Sequence, residues 1–147
     1  MNSTISFILD AKIVEIDFQS PNGWTPTTTV LNYLRKIPNH KGVKEGCAEG
    51  DCGACTVVLG EVEMDRIRYK AVDSCLIFLP MLHGKQLITV ENLKSADGKL
   101  HPVQQTMVEE YGSQCGFCTP GIVMAMFGLY KEHPNPSRAQ IDDAITG

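Results

Sequence analysis

The sequence predicts an α+β protein in which a small β-rich domain, residues 1–92, precedes a small helical domain, residues 93–147. Two patterns predict this order. Apolar and polar residues alternate along several short segments before Asn92, which is the period of a half-buried β-strand. After the polar, glycine-containing segment 95–99, apolar residues recur instead at helical spacing. A chain of 147 residues has room for two such small units.

Five strands are predicted, as two hairpins and one later segment. The alternation over residues 4–9 resumes over residues 14–18, and this predicts an opening β-hairpin. Residues 56–62 and 67–72 predict a second pair of strands around a polar turn. A last strand is predicted over residues 86–91.

One short helix is predicted between the two hairpins. The threonine run 27–29 follows turn residues at 21–23 and offers an N-cap, and Pro38 ends the helix. The apolar residues on its inner face are Val30, Leu31, Leu34 and Ile37. Over residues 42–53 glycine recurs among charged residues, which predicts a loop whose backbone approaches something closely.

Three helices are predicted in the second half. The first is indicated by an apolar helical stripe that Gly112 ends, formed by Val103, Met107, Val108 and Tyr111. The next is apolar on nearly every side, which predicts a buried helix with Thr119 as N-cap and Pro120 as first residue. A capping box of Ser137 and Gln140 predicts a final helix that runs to the chain end.

The composition argues against several classes of function. The net charge is −4 and no basic stripe is present, which argues against a nucleic-acid partner, because phosphate contacts need clustered Lys and Arg. The longest strongly apolar segments, residues 75–82 and 121–130, are too short to span a bilayer, and the N-terminus lacks a secretory signal pattern. A soluble cytoplasmic protein without a membrane partner is expected.

Six cysteines carry the functional signal of the sequence. In a reducing cytosol, cysteines are more often metal ligands or redox groups than disulfides. Three of them follow the spacing C-x4-C-x2-C and a fourth stands twenty residues further on, which is the ligand pattern of a plant-type [2Fe-2S] cluster. These candidate metal ligands are Cys47, Cys52, Cys55 and Cys75. Glycines beside them let backbone N–H groups point at the inorganic sulfides.

A four-cysteine zinc site is the main alternative interpretation. Its two C-x2-C pairs are Cys52 with Cys55 and Cys115 with Cys118, but a change of domain separates the pairs and the other two cysteines lose their role. A thioredoxin-like motif expects a helix after Cys55, where a strand is predicted. A Rieske centre is disfavoured because the sequence has no Cys-x-His pair.

Cys115 and Cys118 form a second motif directly before the predicted helix start at Thr119. Thiolates there would face the positive end of the helix dipole, which favours an anionic metal centre. The helical half has no other cysteine, so a cluster in it would lack two thiolates. A free dithiol in a connecting loop is the alternative, and the residues by themselves leave both open.

Three stretches of the sequence resemble the iron-sulfur part of the molybdenum hydroxylases. They are EGCAEGDCGACTV at residues 45–57, LHPVQ at residues 100–104 and GSQCGFCTPG at residues 112–121. The resemblance covers nearly the whole chain. Within this family, residues 79–92 favour the branch of the xanthine dehydrogenases.

The resemblance implies a β-grasp ferredoxin-like domain followed by a small helical-bundle domain, with one [2Fe-2S] cluster in each. The four cysteines of the first domain would hold the first cluster, and Cys115, Cys118 and a later Cys-x-Cys would hold the second. In the family that Cys-x-Cys follows a segment like residues 144–147, so the chain is expected to be a fragment truncated before it. The resemblance also implies that Gln114 contacts molybdopterin.

The implied function is electron transfer within a xanthine dehydrogenase, in which a purine is hydroxylated at molybdenum and electrons cross two clusters to FAD and NAD+. Molybdopterin and FAD are expected on other domains or subunits, which would be the partners of this chain. The fragment alone is expected to be non-catalytic, because its four histidines are scattered without a carboxylate or serine partner pattern. An apolar surface at Phe117 and residues 124–127 is expected to meet the molybdopterin-binding partner.

Three alternatives stay open. One is the iron-sulfur small subunit of another molybdenum hydroxylase, of the aldehyde oxidoreductase or carbon monoxide dehydrogenase type. Another is a freestanding [2Fe-2S] ferredoxin, which would leave Cys115 and Cys118 unexplained. The last is a zinc-stapled interaction module.

Overall fold

The computed structural model describes residues 3–21 and 23–145. The predicted turn residue Asn22 and the end of the predicted last helix, Thr146 and Gly147, lie outside the described residues. Within the described residues, no helix is both long and apolar enough to cross a membrane.

In the part of the chain that the structure describes, five strands form one mixed sheet: β1 Thr4–Leu9, β2 Lys12–Asp17, β3 Thr56–Glu63, β4 Arg66–Asp73 and β5 Gln86–Ile88. Their order across the sheet is β2-β1-β5-β3-β4, with β1 and β5 parallel and the other neighbours antiparallel. Both predicted hairpins are therefore confirmed. The last predicted strand is too long, because β5 ends at Ile88 and residues 90–92 form a 3₁₀ turn.

The early end of β5 is explained by a contact with the β1–β2 turn. The N–H and hydroxyl groups of Thr89 donate hydrogen bonds to the carboxylate of Asp10, and the N–H bond is 2.8 Å long. Asp10 lies in the β1–β2 turn with a φ of +56°. Because a side chain takes the place of a strand carbonyl, the hydrogen-bond ladder stops at this point.

Between residues 3 and 145, leaving out Asn22, the structure has four α-helices in the predicted order: α1 Val30–Lys36, α2 Pro102–Glu109, α3 Thr119–Glu132 and α4 Arg138–Ile145. A further 3₁₀ turn covers Leu79–Leu82. Thr29 caps α1 as predicted, since its hydroxyl accepts the N–H of Asn32 at 3.2 Å. The capping box before α4 is also confirmed by reciprocal hydrogen bonds between Ser137 and Gln140.

Two details of the predicted helices are wrong. Thr119 is the first residue of α3 rather than its N-cap, which is Cys118, and the Thr119 hydroxyl lies 2.7 Å from that of Ser113. The stripe predicted for α2 is shorter than expected, because Val108 and Tyr111 are exposed and α2 ends before Tyr111. A chain turn at the helix end, with a φ of +53° at Tyr111, directs this residue away from the core.

The sheet has a hydrophobic core on each face. On one face α1 packs over the inward side chains of β1, β3 and β5, with Val57 and Leu59 from β3. On the other face α3 packs Val123, Met124 and Phe127 against Val58 and its neighbours. Because successive side chains of a strand point to opposite faces, β3 contributes to both cores.

The burial of α3 corrects one prediction. Met124 and Phe127 are 1% and 7% exposed, since they form the second core of this chain and are not free for a partner. Phe117 is 46% exposed, as expected. The α+β class is confirmed, with a β-grasp ferredoxin-like sheet followed by three helices.

Candidate metal centres

The first cysteine loop, residues 44–55, lies between α1 and β3. Its base is closed by a hydrogen bond of 3.1 Å from the N–H of Lys44 to the carbonyl of Ala54. Inside it the backbone turns through positive φ at Ala48, Gly50 and Gly53, with values of +58°, +81° and +65°. These turns replace an extended path with a tight coil, so the sulfurs and N–H groups of the loop face one another.

The sulfur of Cys47 lies at the centre of this coil. It accepts N–H groups from Glu49, Asp51 and Cys52 at 3.5, 3.3 and 3.4 Å. These hydrogen bonds, with that from Glu49 first, lower the pKa of Cys47 to about 7. The loop therefore stabilises a thiolate, which is the form that binds iron.

Cys75 is brought beside Cys55 by strand pairing. Thr56 pairs with Asp73 at the end of the β3–β4 hairpin. The hydroxyl and N–H groups of Ser74 continue the pairing by donating to the carbonyl of Cys55, at 2.7 and 3.4 Å. The next residue, Cys75, consequently reaches the end of the cysteine loop.

Cys55 and Cys75 are both buried, with exposed fractions of 3% and 8%. Burial, followed by the contact with Cys55, raises the pKa of Cys75 to about 12. The Cys55 sulfur also lies 3.8 Å from a carboxylate oxygen of Asp73, to which its thiol donates. A positively charged metal at this position would displace the thiol proton, and its charge would offset the cost of burying a thiolate.

The four sulfurs are grouped as two pairs. Cys47 is hydrogen-bonded to Cys52, and Cys55 is hydrogen-bonded to Cys75. Across residues 3–21 and 23–145, no three or more His, Cys, Asp or Glu side chains converge on a single-ion position. Two thiol pairs, one in the loop with Cys47 half-buried and Cys52 exposed and one buried under the loop, fit a cluster of two irons that each take two thiolates.

Small residues make this packing possible. A Cβ atom on Gly46 would lie 2.7 Å from the sulfur of Cys52, which is too close for a side chain. A Cβ atom on Gly50 would overlap the side chain of Leu76, which lies directly over the loop although it is 54% exposed. Leu76 therefore covers the loop from the side of Cys75.

The second motif lies between α2 and α3. Cys115 and Cys118 are both exposed, and Gly116 between them has a φ of +87°. Cys118 is the N-cap of α3 and its side chain makes no capping hydrogen bond, so the first N–H groups of α3 remain near this sulfur. Gln114 is also exposed. These positions allow a metal centre at the helix start, with two thiolates from this chain.

The two motifs are neighbours in space, which the sequence does not reveal. Phe117, between the cysteines of the second motif, lies against Gly46 of the first loop, because a Cβ atom on Gly46 would be 3.6 Å from its ring. Cys52 and Cys118 also line the same cavity of about 640 Å³, between β4, α3 and α4. The two candidate centres therefore share one side of the molecule.

Sequence reasoning missed three residues of the first site. Asp73 faces the sulfur of Cys55, Leu76 covers Gly50, and Glu91 accepts the N–H of Gly42 at 2.6 Å where the chain approaches the loop. The position of Asp73, two residues before Cys75 at a strand end, is the one signal that could have identified it. The contacts of Leu76 and Glu91 with the loop region form only when segments distant in sequence fold together, so the sequence could not identify these two residues.

Comparisons with known proteins agree with this geometry. Residues 22–79 match the family model of the 2Fe-2S iron-sulfur cluster binding domain, and residues 89–147 match that of a [2Fe-2S] binding domain. By fold and by cysteine motifs the chain is a protein with two [2Fe-2S] binding domains.

Its relatives narrow the class. The chain is 41% identical to xanthine dehydrogenase/oxidase of Felis catus and 39% identical to aldehyde oxidase 2 of Cavia porcellus, over 97% of its length in each case. It is 42% identical to xanthine dehydrogenase of Calliphora vicina over 99% of its length. The chain belongs to the iron-sulfur domains of the molybdenum hydroxylase family. It spans about 10% of the length of these relatives.

Solved structures give the same result. Quinoline 2-oxidoreductase from Pseudomonas putida 86 superposes with a TM-score of 0.76 at 26% identity, covering 98% of this chain and 80% of that one. Aldehyde oxidoreductase from Desulfovibrio gigas superposes with a TM-score of 0.79 at 28% identity, covering 96% of this chain and 14% of that one.

Proposed function

We propose that this chain is the electron-transfer module of a xanthine dehydrogenase, carrying electrons from a molybdenum site to FAD and NAD+ while a purine is hydroxylated. The observation that carries the proposal is the close packing of the two cysteine motifs, since two redox centres exchange electrons only at short range. Cys52 and Cys118 lie on one cavity, and Phe117 lies against Gly46. The identity to xanthine dehydrogenases over nearly the whole chain supports the assignment.

The first [2Fe-2S] cluster is assigned to Cys47, Cys52, Cys55 and Cys75. When bound, such a cluster accepts and returns one electron at a time. The chain contributes N–H groups directed at the Cys47 sulfur, which disperse negative charge, and a buried pair that excludes water from one side. The exposed side at Cys52 is left open toward the second motif.

The second cluster is assigned to Cys115 and Cys118 as two of its ligands. All six cysteines of this sequence are then used, so its other ligands are not cysteines of these 147 residues. Gln114 is proposed to contact molybdopterin, and its exposure supports reach toward a cofactor held on another domain. A molybdopterin-binding domain and an FAD domain are accordingly the proposed partners.

A second candidate is the iron-sulfur part of an aldehyde oxidase. It is favoured by the 39% identity to the guinea pig enzyme, close to that of the xanthine dehydrogenase relatives. The two candidates share the same electron-transfer role for this chain and differ in the substrate that is oxidised elsewhere in the complete protein. Assays of purine and aldehyde oxidation by the complete protein separate them.

Anaerobic reconstitution with iron and sulfide tests the ligand assignment. We expect about two irons per chain and the visible spectrum of one [2Fe-2S] cluster, because only the first motif has four thiolates. Cys52→Ala should abolish this spectrum and its iron, whereas the control Cys115→Ala should keep both. An unchanged spectrum in Cys52→Ala would show that the assignment is wrong, and a colourless zinc-binding chain would refute the cluster altogether.

A further inference from the structure

The first turn of α3 rests on the backbone of the first cysteine loop. A Cβ atom on Gly121 would overlap the carbonyl oxygen of Gly53 and would lie 3.0 Å from its carbonyl carbon and 3.1 Å from the Cα of Ala54. All three neighbours are backbone atoms, which cannot turn aside as a flexible side chain can. At Gly121, therefore, the backbones of α3 and the loop are in direct contact.

This contact lies directly between the two cysteine motifs. Gly121 follows Cys118 by three residues, one helical turn, and so shares its side of α3. Gly53 lies between Cys52 and Cys55. A change in the Gly53–Gly121 separation would therefore move one motif relative to the other.

The rest of α3 is held against the sheet and cannot follow such a change freely. Near its C-terminal end, Glu132 accepts the N–H of Tyr69 at 2.6 Å and lies 2.8 Å from Nε of Arg68. In its middle, Met124 and Phe127 are buried in the second core. An added atom at residue 121 would lift the N-terminal end of α3, the end that carries Cys118.

We propose that Gly121 is a positioning residue that sets the separation of the two metal centres. The inference rests on the proposed function, because it takes both motifs to be cluster sites. A backbone-to-backbone contact gives the smallest separation that the two segments can have. It also fixes that separation more firmly than side chains would, since neither partner has a rotamer to change.

A distance measurement on the chain tests this role. The variant Cys118→Ser is first loaded anaerobically with the first cluster, which occupies the four thiols of the first site. The remaining thiol, that of Cys115, is then labelled with a gadolinium(III) chelate that survives reduction. Pulsed dipolar electron paramagnetic resonance then gives the distance between the label and the reduced cluster. Gly121→Ala should lengthen or broaden the distance distribution, and Gly121→Val should do so further.

Two matched variants serve as controls. Gly128→Ala makes the same change on the same helix, but its Cβ meets Ala71 at 3.3 Å and Val58 at 3.5 Å, on the sheet and away from the cysteines. Phe117→Ala removes the ring that lies against Gly46. Both should keep the parent distance, since neither alters the contact of Gly121 with Gly53.

The outcomes are distinguishable. Equal distances in Gly121→Ala and the parent chain would overturn the inference while leaving the proposed function intact. Loss of the cluster in Gly121→Ala alone would support the inference, because the added atom would then have displaced Gly53 between two ligands. No cluster in the parent chain would overturn the proposed function and this inference with it.

Discussion

Gly50 is subject to two separate constraints. Its φ of +81° disfavours any side chain by about 1–2 kcal/mol, and a Cβ atom at this position would overlap the side chain of Leu76. Gly98 has nearly the same φ, +82°, but no atom within 4 Å of the position of a Cβ. We expect Gly50→Ala to lower the free energy of unfolding, measured with urea, clearly more than Gly98→Ala does.

The part of the stability loss in Gly50→Ala that exceeds the loss in Gly98→Ala should depend on Leu76. In the double variant with Leu76→Ala, the added methyl group has room, so the loss beyond that of Gly98→Ala should disappear. Equal losses at Gly50 and Gly98 in the parent background would contradict the packing of Leu76 on the loop.

The candidate ligands of the first site follow from the sequence at the residue scale and their role stays a prediction, whereas their grouping in space could not be predicted. The spacing of Cys47, Cys52 and Cys55 is itself a chemical pattern, because one short loop has to surround two irons. That Cys55 lies with Cys75 depends on the register of β3 and β4, which only the paired strands fix. The cover by Leu76 depends on the same register.

Among the helices, α2 has an N-cap that is sensitive to pH. The ring of His101 accepts the N–H of Val103 at 3.4 Å and lies edge-on to Phe127 and Tyr130, each with ring centroids 5.1 Å away. Burial, followed by the charge of Lys131, lowers the pKa of His101 from its ordinary value of 6.5. The neutral ring is thus the form that the folded chain favours.

Acidification should therefore weaken this helix. Because the folded-state pKa lies below the unfolded one, the contribution of His101 to stability is complete above pH 6.5 and is lost as the pH falls from there through the folded-state value. The control His101→Asn keeps a good N-cap without a titrating ring. Urea unfolding at pH 8 and pH 5 should show a larger loss for the parent chain than for His101→Asn, and equal losses would contradict the prediction.

One N–H group on the outer edge of β4 is hydrogen-bonded to a side chain of α3. Glu132 accepts the N–H of Tyr69 with one carboxylate oxygen, and its other oxygen lies 2.8 Å from Nε of Arg68, whose N–H is not aimed at it. An unpaired N–H group on an edge strand can form a hydrogen bond with a strand of another chain. Glu132→Ala should lower the free energy of unfolding by about 1–3 kcal/mol in a urea titration, because Tyr69 loses its acceptor.

Glu132→Gln separates the two contacts. Its amide oxygen can still accept the N–H of Tyr69, while the ion pair with Arg68 is gone. Since this pair is partly exposed, Glu132→Gln should be the milder change. A loss equal to that of Glu132→Ala would assign the effect to the ion pair instead.

Elements with local signals could be predicted, and those that depend on distant groups could not. Thr29 and Ser137 cap helices through hydrogen bonds within four residues, so the sequence around them is sufficient. The end of β5 depends instead on Asp10, which is 79 residues from Thr89. The first turn of α3 likewise packs through Gly121 on the distant cysteine loop, a contact that no periodicity contains.

At the scale of the whole molecule, the two halves share a strand. Val57 and Leu59 lie in the first core and Val58 in the second, so loss of either core exposes β3. The boundary predicted at residue 92 stays a prediction, but residues on both sides of it form the second core, as Ile88 and Leu93 do. The chain is thus expected to unfold as one cooperative unit.

Phe127→Ala tests this coupling. It should destabilise the chain by about 3–5 kcal/mol by leaving a cavity in the second core. Trp24, the single tryptophan, packs on Tyr33 at the first core, so its fluorescence reports on the opposite face. The urea midpoint from Trp24 fluorescence should shift together with that from far-ultraviolet circular dichroism.

Val108→Ala is the matched control in the helical half, because Val108 is 61% exposed and its loss should change stability by about 0.5 kcal/mol or less. A Trp24 midpoint that does not move in Phe127→Ala would mean that the two halves unfold independently.

The place of β5 in the sheet also has a consequence for folding during synthesis of the protein. The hairpins β1–β2 and β3–β4 are local, but within the sheet they meet only through β5, at residues 86–88. During synthesis, all four cysteines of the first site thus leave the ribosome before the strand that joins the two hairpins does. Iron offered to the nascent chain at that stage would meet thiols held only by the β3–β4 hairpin. Because an isolated two-stranded hairpin is only marginally stable in water, we expect stable metal loading only after residue 88 has been released.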